Sequence, residues 1–208
     1  MYAVYHGPIG IRNIAGKVHG LTQVLKETIE RFGYRATNRE FFDTLTIDVS
    51  GVMKSSQVTH DAAKAVGINL RLIDGTHVGV TLDESVGPKN LVSLINVFTS
   101  AAGVPPVVLS DLKVIEAPSI PAPLRRTSEF LTHSVFNKHH SETEMLRYIH
   151  HLASKDIGLV HSMIPLGSCT MKLNSTSSMI PVTWPEFSAV HPFAPSDQVK
   201  GYHEIIKV

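Results

Sequence analysis

Cysteine is nearly absent from this chain. Cys169 is the only one in 208 residues, which excludes an internal disulfide framework and any cysteine-rich zinc site, and suits a reducing compartment. An excess of one charge is missing too. Lys and Arg number 19 against 18 Asp and Glu, for a formal charge of +1, and the charges are dispersed, so there is no electrostatic footprint for nucleic acid or an anionic membrane. No apolar run is long enough to span a bilayer, and the N-terminus lacks the basic flank and apolar core of a secretory signal. The chain reads as soluble. Its opening MYAVYHGPIG is neither amphipathic nor Arg-rich, unlike a mitochondrial presequence, so any targeting segment is expected outside this chain. Against these absences stands a hydrophobic content of 43%, enough for one sizeable core or two small ones.

Periodicity supplies the elements. After Gly7-Pro8, which punctuates a helix start, Ile11, Ile14, Val18, Leu21, Leu25, Ile29 and Phe32 recur at steps of three and four as far as Gly33. Leu45, Ile47 and Val49 alternate as in a half-buried strand. Ser55 or Ser56 then caps a short helix whose expected apolar side is Val58, Ala62 and Val66, ended by Gly67. Ile68, Leu70 and Leu72 alternate before Asp74-Gly75, and Val78, Val80 and Leu82 alternate after it, which predicts a β-hairpin. Pro88 opens a helix with Leu91, Leu94, Ile95 and Phe98 on one face. The order α-β-α-β-β-α predicts a small sheet backed by helices.

From about Ala101 to Arg126 the periodicity fades among Pro105, Pro106, Pro118, Pro121 and Pro123, which deny backbone donors to a ladder or helix. A linker is expected there. Ser141-Glu142-Thr143-Glu144 forms a capping box ahead of Met145, Leu146, Ile149 and Leu152. After Gly158 regular signals thin out, and five prolines between 165 and 195 predict turns and short pieces. Trp184, between prolines, is expected to pack under an irregular loop. Tyr202, Ile205 and Ile206 begin a further helix where the chain ends at Val208.

The passage SMIPLGSCTMKLN, Ser162 to Asn174, resembles the signature of glycine decarboxylase, the P-protein family of the glycine cleavage system. The likeness extends through PVTWPEF at Pro181 to Phe187 and HPFAPSDQVKGY at His191 to Tyr202. Upstream, RTSEFLTHSVFNKHHSETEMLRY (Arg126 to Tyr148), YHGPIGIRNIAGKVHG (Tyr5 to Gly20), FFDTL (Phe41 to Leu45) and the INLRL hairpin resemble the same family. A run of this length is far more specific than a short motif.

The resemblance implies an α/β fold: an α+β small domain of a pyridoxal-phosphate-dependent, aminotransferase-like fold, then an irregular linker and the opening segment of a second such half. The implied limits are 1–112 for the C-terminal small domain of the N-terminal half, 113–140 for the linker, and 141–208 for the N-terminal segment of the C-terminal catalytic half. It also implies decarboxylation of glycine with pyridoxal phosphate as cofactor and transfer of the aminomethyl group to the lipoyl arm of H-protein. The implied partners are therefore glycine, lipoylated H-protein and the remainder of the P-protein, in a homodimer when complete. The implied location is the mitochondrial matrix in eukaryotes or the cytoplasm in bacteria. Phrases such as HHSETEMLRYIHHLASKD favour the former.

Pyridoxal phosphate needs a Schiff-base lysine. In the family this lysine lies in a histidine-lysine motif before a glycine-rich run, downstream of SCTMK, and no such motif occurs here. The chain is therefore expected to be a fragment inactive alone, with a non-catalytic partner-binding module and an independent enzyme as the rival readings. Lys172 has a cofactor-lysine reading and a commoner one as a solvated or backbone-pairing side chain. Gly167-Ser168-Cys169-Thr170 can form an anion nest or a turn that satisfies its own backbone through hydroxyls. The family places this loop near the active-site cleft, which makes Ser168, Cys169 and Thr170 the candidate cofactor-binding residues. No residue is assigned to catalysis. Cys169 as a nucleophile lacks a recognisable base, and the inert buried thiol is the better reading. His139-His140 with Glu142 and Glu144 lacks zinc spacing, and its acids suit a helix N-terminus, so no metal is expected.

Overall fold

Helices with one apolar stripe and strands with one apolar face bury those surfaces only against each other, and the first half of the chain does so. The computed structural model describes residues 1–112, 120–158, 161 and 175–207. It divides into two compact units, Met1–Glu144 and Met145–Val208.

Helix α1 (Tyr2–Glu30) is interrupted at Gly7, where φ is 62° and ψ is −177°. The expected start at Gly7-Pro8 is thus preceded by a helical turn, and Pro8, with fixed φ and no amide proton, begins the long segment. Beyond it Val18, Leu25 and Ile29 are buried, with Leu21 and Phe32 packed beside the core. A two-residue strand β1 (Arg35–Ala36), too short to show alternation, pairs antiparallel with β2 (Thr44–Asp48).

Helix α2 (Ser56–Ala65) corrects an expectation. Ser55 caps it by accepting from the Gln57 amide, but its buried side is Ser56, Thr59 and Ala63, while Val58 and Val66 are 48% and 63% exposed. The reason lies at its N-terminus, where the Ser56 hydroxyl donates to the Asp74 carbonyl and the Ser56 amide donates to the Gly75 carbonyl. These bonds turn the small side chains inward, which lets the helix approach the hairpin and the next helix closely.

The hairpin forms from β3 (Arg71–Leu72) and β4 (His77–Thr81), but β3 is short, and of Ile68, Leu70 and Leu72 only Leu70 is buried. The sheet order is β1-β2-β4-β3, with every neighbouring pair antiparallel. Its central register sets Leu45 opposite Val80 and Ile47 opposite Val78. Opposed residues share a face, and these four are buried. Thr44 and Thr81 occupy the other face, their hydroxyls 3.0 Å apart.

Helix α3 (Pro88–Ala102) buries Leu91, Leu94, Ile95 and Phe98 as expected, and ends at Gly103 with φ 68°. Its Asn96 amide group receives the Val107 N–H at 2.8 Å and donates to the Val107 carbonyl at 3.1 Å, which pins the departing chain. Tyr34 is buried edge-on to Phe98, with centroids 5.2 Å apart, and its hydroxyl donates to the Phe98 carbonyl at 2.9 Å. Burial pushes the Tyr34 phenol up to about 12. The result is a mixed helical and antiparallel-sheet unit with its core between sheet and helices.

The chain then passes through single 3-10 turns at Leu109–Asp111 and Ala122–Leu124. Helix α4 (Glu142–Ala153) begins as expected, the Ser141 hydroxyl accepting from the Glu144 amide at 3.3 Å. Met145 is buried, but Leu146 is 67% exposed, and Ile149 and Leu152 are exposed as well. In the second unit short helical turns precede α5 (Lys200–Lys207). Trp184 is 48% exposed, contrary to the expectation that it packs under an irregular loop, and its ring lies 6.2 Å from that of Phe187 between centroids.

The hairpin loop is sensitive to acid. The Asp74 carboxyl is held down to about 2, first by the Thr76 amide and then by the His77 side chain. Asp48 is also lowered to about 2, chiefly by the Ser50 hydroxyl and amide and then by Arg35. A depressed folded-state value means that the stabilisation is fully present above the ordinary 3.8 and is lost as pH falls through about 2. Asp74→Asn is therefore expected to flatten, without abolishing, the loss of stability on acidification through that window, because Asp48 still titrates. Urea midpoints measured across the window check this; a slope equal to that of the unmodified chain would contradict it.

Candidate functional site

Ser168, Cys169, Thr170 and Lys172 lie outside the described residues. The described part of the first unit instead forms a cleft of about 570 Å³ that the linear pattern did not reveal. One wall is α1, where Arg12 and Gly16, and likewise Ile11, Ala15 and His19, follow one another at steps of four. That spacing places them along one stripe of the helix, and the small residues in the middle leave room above them. Phe42, just before β2, and Arg125, Arg126 and Phe130, beyond the proline-rich stretch, complete it.

His19 is 2% exposed. Its Nδ1 donates to the Phe42 carbonyl at 2.9 Å, and its ring lies parallel to that of Phe42, 3° apart in plane with centroids at 5.5 Å. The histidine Nε2 is buried without a hydrogen-bond partner. The guanidinium carbons of Arg12 and Arg126 both stand over the Phe130 ring, each 5.7 Å from its centroid. Arg125 donates to the Ile120 carbonyl and Arg126 to the Ser128 hydroxyl. Among the described residues none of these three guanidiniums is ion-paired with a carboxylate. Next to Phe130, Leu131 has φ 53°, a left-handed conformation that costs a branched side chain roughly 1–2 kcal/mol.

Three stretches that carried the family resemblance thus converge: Arg12 and His19 from YHGPIGIRNIAGKVHG, Phe42 from FFDTL, and Arg126 and Phe130 from RTSEFLTHSVFNKHH. The signals available in sequence were the step of four along α1 and the paired arginines ahead of an aromatic.

These residues do not fit pyridoxal phosphate. A Schiff-base lysine sits in an enclosed site with a free amine. The lining residues of this cleft include no lysine among those described, and Lys26, which lines another cleft, is ion-paired with Glu30 at 2.8 Å. Among the described residues no group of three or more His, Cys, Asp or Glu is arranged to hold a metal ion. His140 has a structural task instead, donating through Nδ1 to the Tyr5 carbonyl at 2.7 Å.

Comparison with known proteins places these features in a family. The model of the glycine cleavage system P-protein matches residues 1–98. Along 211 aligned residues the chain is 51% identical to the glycine dehydrogenase (decarboxylating) of Paraburkholderia xenovorans strain LB400, an alignment covering 99% of this chain and 21% of that relative. The chain thus spans about a fifth of the length of the curated relative it matches. With the family model matching residues 1–98 and the identity running through nearly the whole length, the chain belongs to the glycine cleavage system P-protein family.

Proposed function

We propose that this chain works as one part of a P-protein that decarboxylates glycine, and that it does not carry out the reaction alone. The 51% identity along 99% of the chain, set against 21% of the relative, carries this reading. The exposed apolar side chains support it: Leu146, Ile149 and Leu152 on α4, Ile205 and Ile206 on α5, and Phe193. Large apolar side chains left exposed suit burial against a further protein surface, here the remainder of the P-protein in a homodimer. Residues 1–112 take the part of the small domain in an aminotransferase-like half, residues 113–140 link it onward, and residues 141–208 open the second half.

In the complete protein pyridoxal phosphate supplies the electron sink for loss of carbon dioxide from glycine, and the lipoyl arm of H-protein receives the aminomethyl group. Ser168, Cys169 and Thr170 are the residues of this chain proposed to lie near that cofactor. The location proposed is the mitochondrial matrix, or the cytoplasm in a bacterium.

Carboxyl-labelled glycine, pyridoxal phosphate and lipoylated H-protein are to be added to the 208-residue chain and, in parallel, to a longer P-protein containing the same sequence. Labelled carbon dioxide is expected only from the longer protein, and the chain alone is expected to show no Schiff-base absorbance after dialysis. A stoichiometric absorbance that Lys172→Ala abolishes, or turnover by the chain alone, would overturn the reading.

A further inference from the structure

We propose that the cleft between α1 and the Arg125–Phe130 segment is a binding site for a planar aromatic monocarboxylate, a proposal that does not depend on the reading above. Its volume of about 570 Å³ falls within the roughly 300–1,000 Å³ of ligand sites that enclose small molecules. Its chemistry is divided. The Phe42 ring, exposed and backed by the buried His19 ring parallel to it within 3°, forms a flat wall, which suits an aromatic body through offset or edge contacts. Arg12, Arg125 and Arg126 bring positive charge to the same space.

Arginine is the side chain whose planar fork matches a carboxylate with paired N–H donors. These guanidiniums gather at one cleft with no carboxylate partner among the described residues. Arg12 and Arg126 share the single Phe130 ring, which holds them by cation-π attraction and leaves N–H groups for an anion. Like charges collected this way repel, and a bound carboxylate would relieve that repulsion. A neutral ligand of the same shape would leave it in place. The Nδ1 bond from His19 to the Phe42 carbonyl fixes the imidazole that backs the Phe42 ring before any ligand arrives.

The probe is 2-naphthoate, with 2-naphthamide as its uncharged counterpart, titrated calorimetrically into the 208-residue chain. A Kd of about 1 mM or tighter is expected for the acid, from the contribution per heavy atom usual for small ligands. The amide should bind at least about tenfold more weakly. Arg12→Gln and Arg126→Gln should each weaken the acid by about tenfold while leaving the amide unchanged, and raising the salt concentration should weaken only the acid. Both arginines are exposed, so thermal midpoints of the variants should fall only slightly, by the loss of one exposed cation-π contact. Equal binding of acid and amide, or an acid affinity indifferent to both variants, would overturn the proposal. Binding by this chain but not by a longer P-protein would overturn it as well, marking the cleft as a surface covered by the remainder of that protein.

Discussion

Replacing Phe98 with alanine is expected to destabilise the first unit by about 3–5 kcal/mol, the usual cost of truncating a fully buried phenylalanine. Phe98 has no exposed surface and belongs to the core cluster shared by α1, α3 and the sheet. The change removes the ring's transfer energy and leaves a void that the Tyr34 ring, now without its edge partner at 5.2 Å, cannot fill by rotation. The tyrosine hydroxyl bonds to the Phe98 main-chain carbonyl, so that bond remains available in the variant. Tyr34→Phe removes the same bond and keeps the packing, at a cost of about 1 kcal/mol. Since small domains are stable by only about 5–15 kcal/mol, the alanine variant loses a large share of its margin. Urea midpoints of the two variants give the ranking, and a Phe98→Ala loss no larger than that of Tyr34→Phe would mean the core is not packed as described.

Gly7→Ala is the second large effect. Residue 7 combines φ 62° with ψ −177°, a region open essentially to glycine alone, and forcing alanine into it costs about 1–3 kcal/mol. Space is also lacking, because an added Cβ would stand 2.6 Å from the His140 Cε1 and 2.7 Å from the Phe136 carbonyl oxygen. The imidazole can move aside, but the carbonyl belongs to the 3-10 turn Ser134–Asn137 and cannot do so without moving the segment. A further cost of about 1–3 kcal/mol follows from such overpacking. The His140 bond to the Tyr5 carbonyl is lost with it. Hydrogen exchange should therefore rise across residues 133–140 together with the fall in midpoint. Adding His140→Ala to the variant should restore only part of the loss, since it clears the side chain but neither the carbonyl nor the backbone angle. Full restoration would show that the ring alone set the requirement for glycine.

Much of the first unit was legible because its signals are local. Steps of three and four identify α1 and α3, Asp74-Gly75 between alternating valines and leucines identifies the hairpin, and Ser141 with Glu144 identifies the start of α4. A neighbour in sequence decides each of these, through a backbone period, a turn conformation or a cap. The family was legible for the same reason, since its motifs are contiguous runs. The inward side of α2 was not. Val58 and Val66 are the more hydrophobic residues, yet Ser56, Thr59 and Ala63 are buried, because bonds to the hairpin carbonyls and a close helix approach outweigh side-chain hydrophobicity there. Trp184 was misplaced by a similar argument, since a large apolar surface is buried only where a neighbour exists to cover it.

The chain's own letters determined its periodic elements, their order and its membership of the P-protein family. Tertiary structure alone decided which face of α2 turns inward, and brought Arg12, His19, Phe42, Arg126 and Phe130 to one cleft. The physical reason is that a helix or turn is encoded over a few neighbouring residues, whereas a cleft depends on the approach of segments distant in sequence. In a linear reading its arginines are merely polar positions, and they acquire a joint electrostatic meaning only once folding places their charges beside the same aromatic ring.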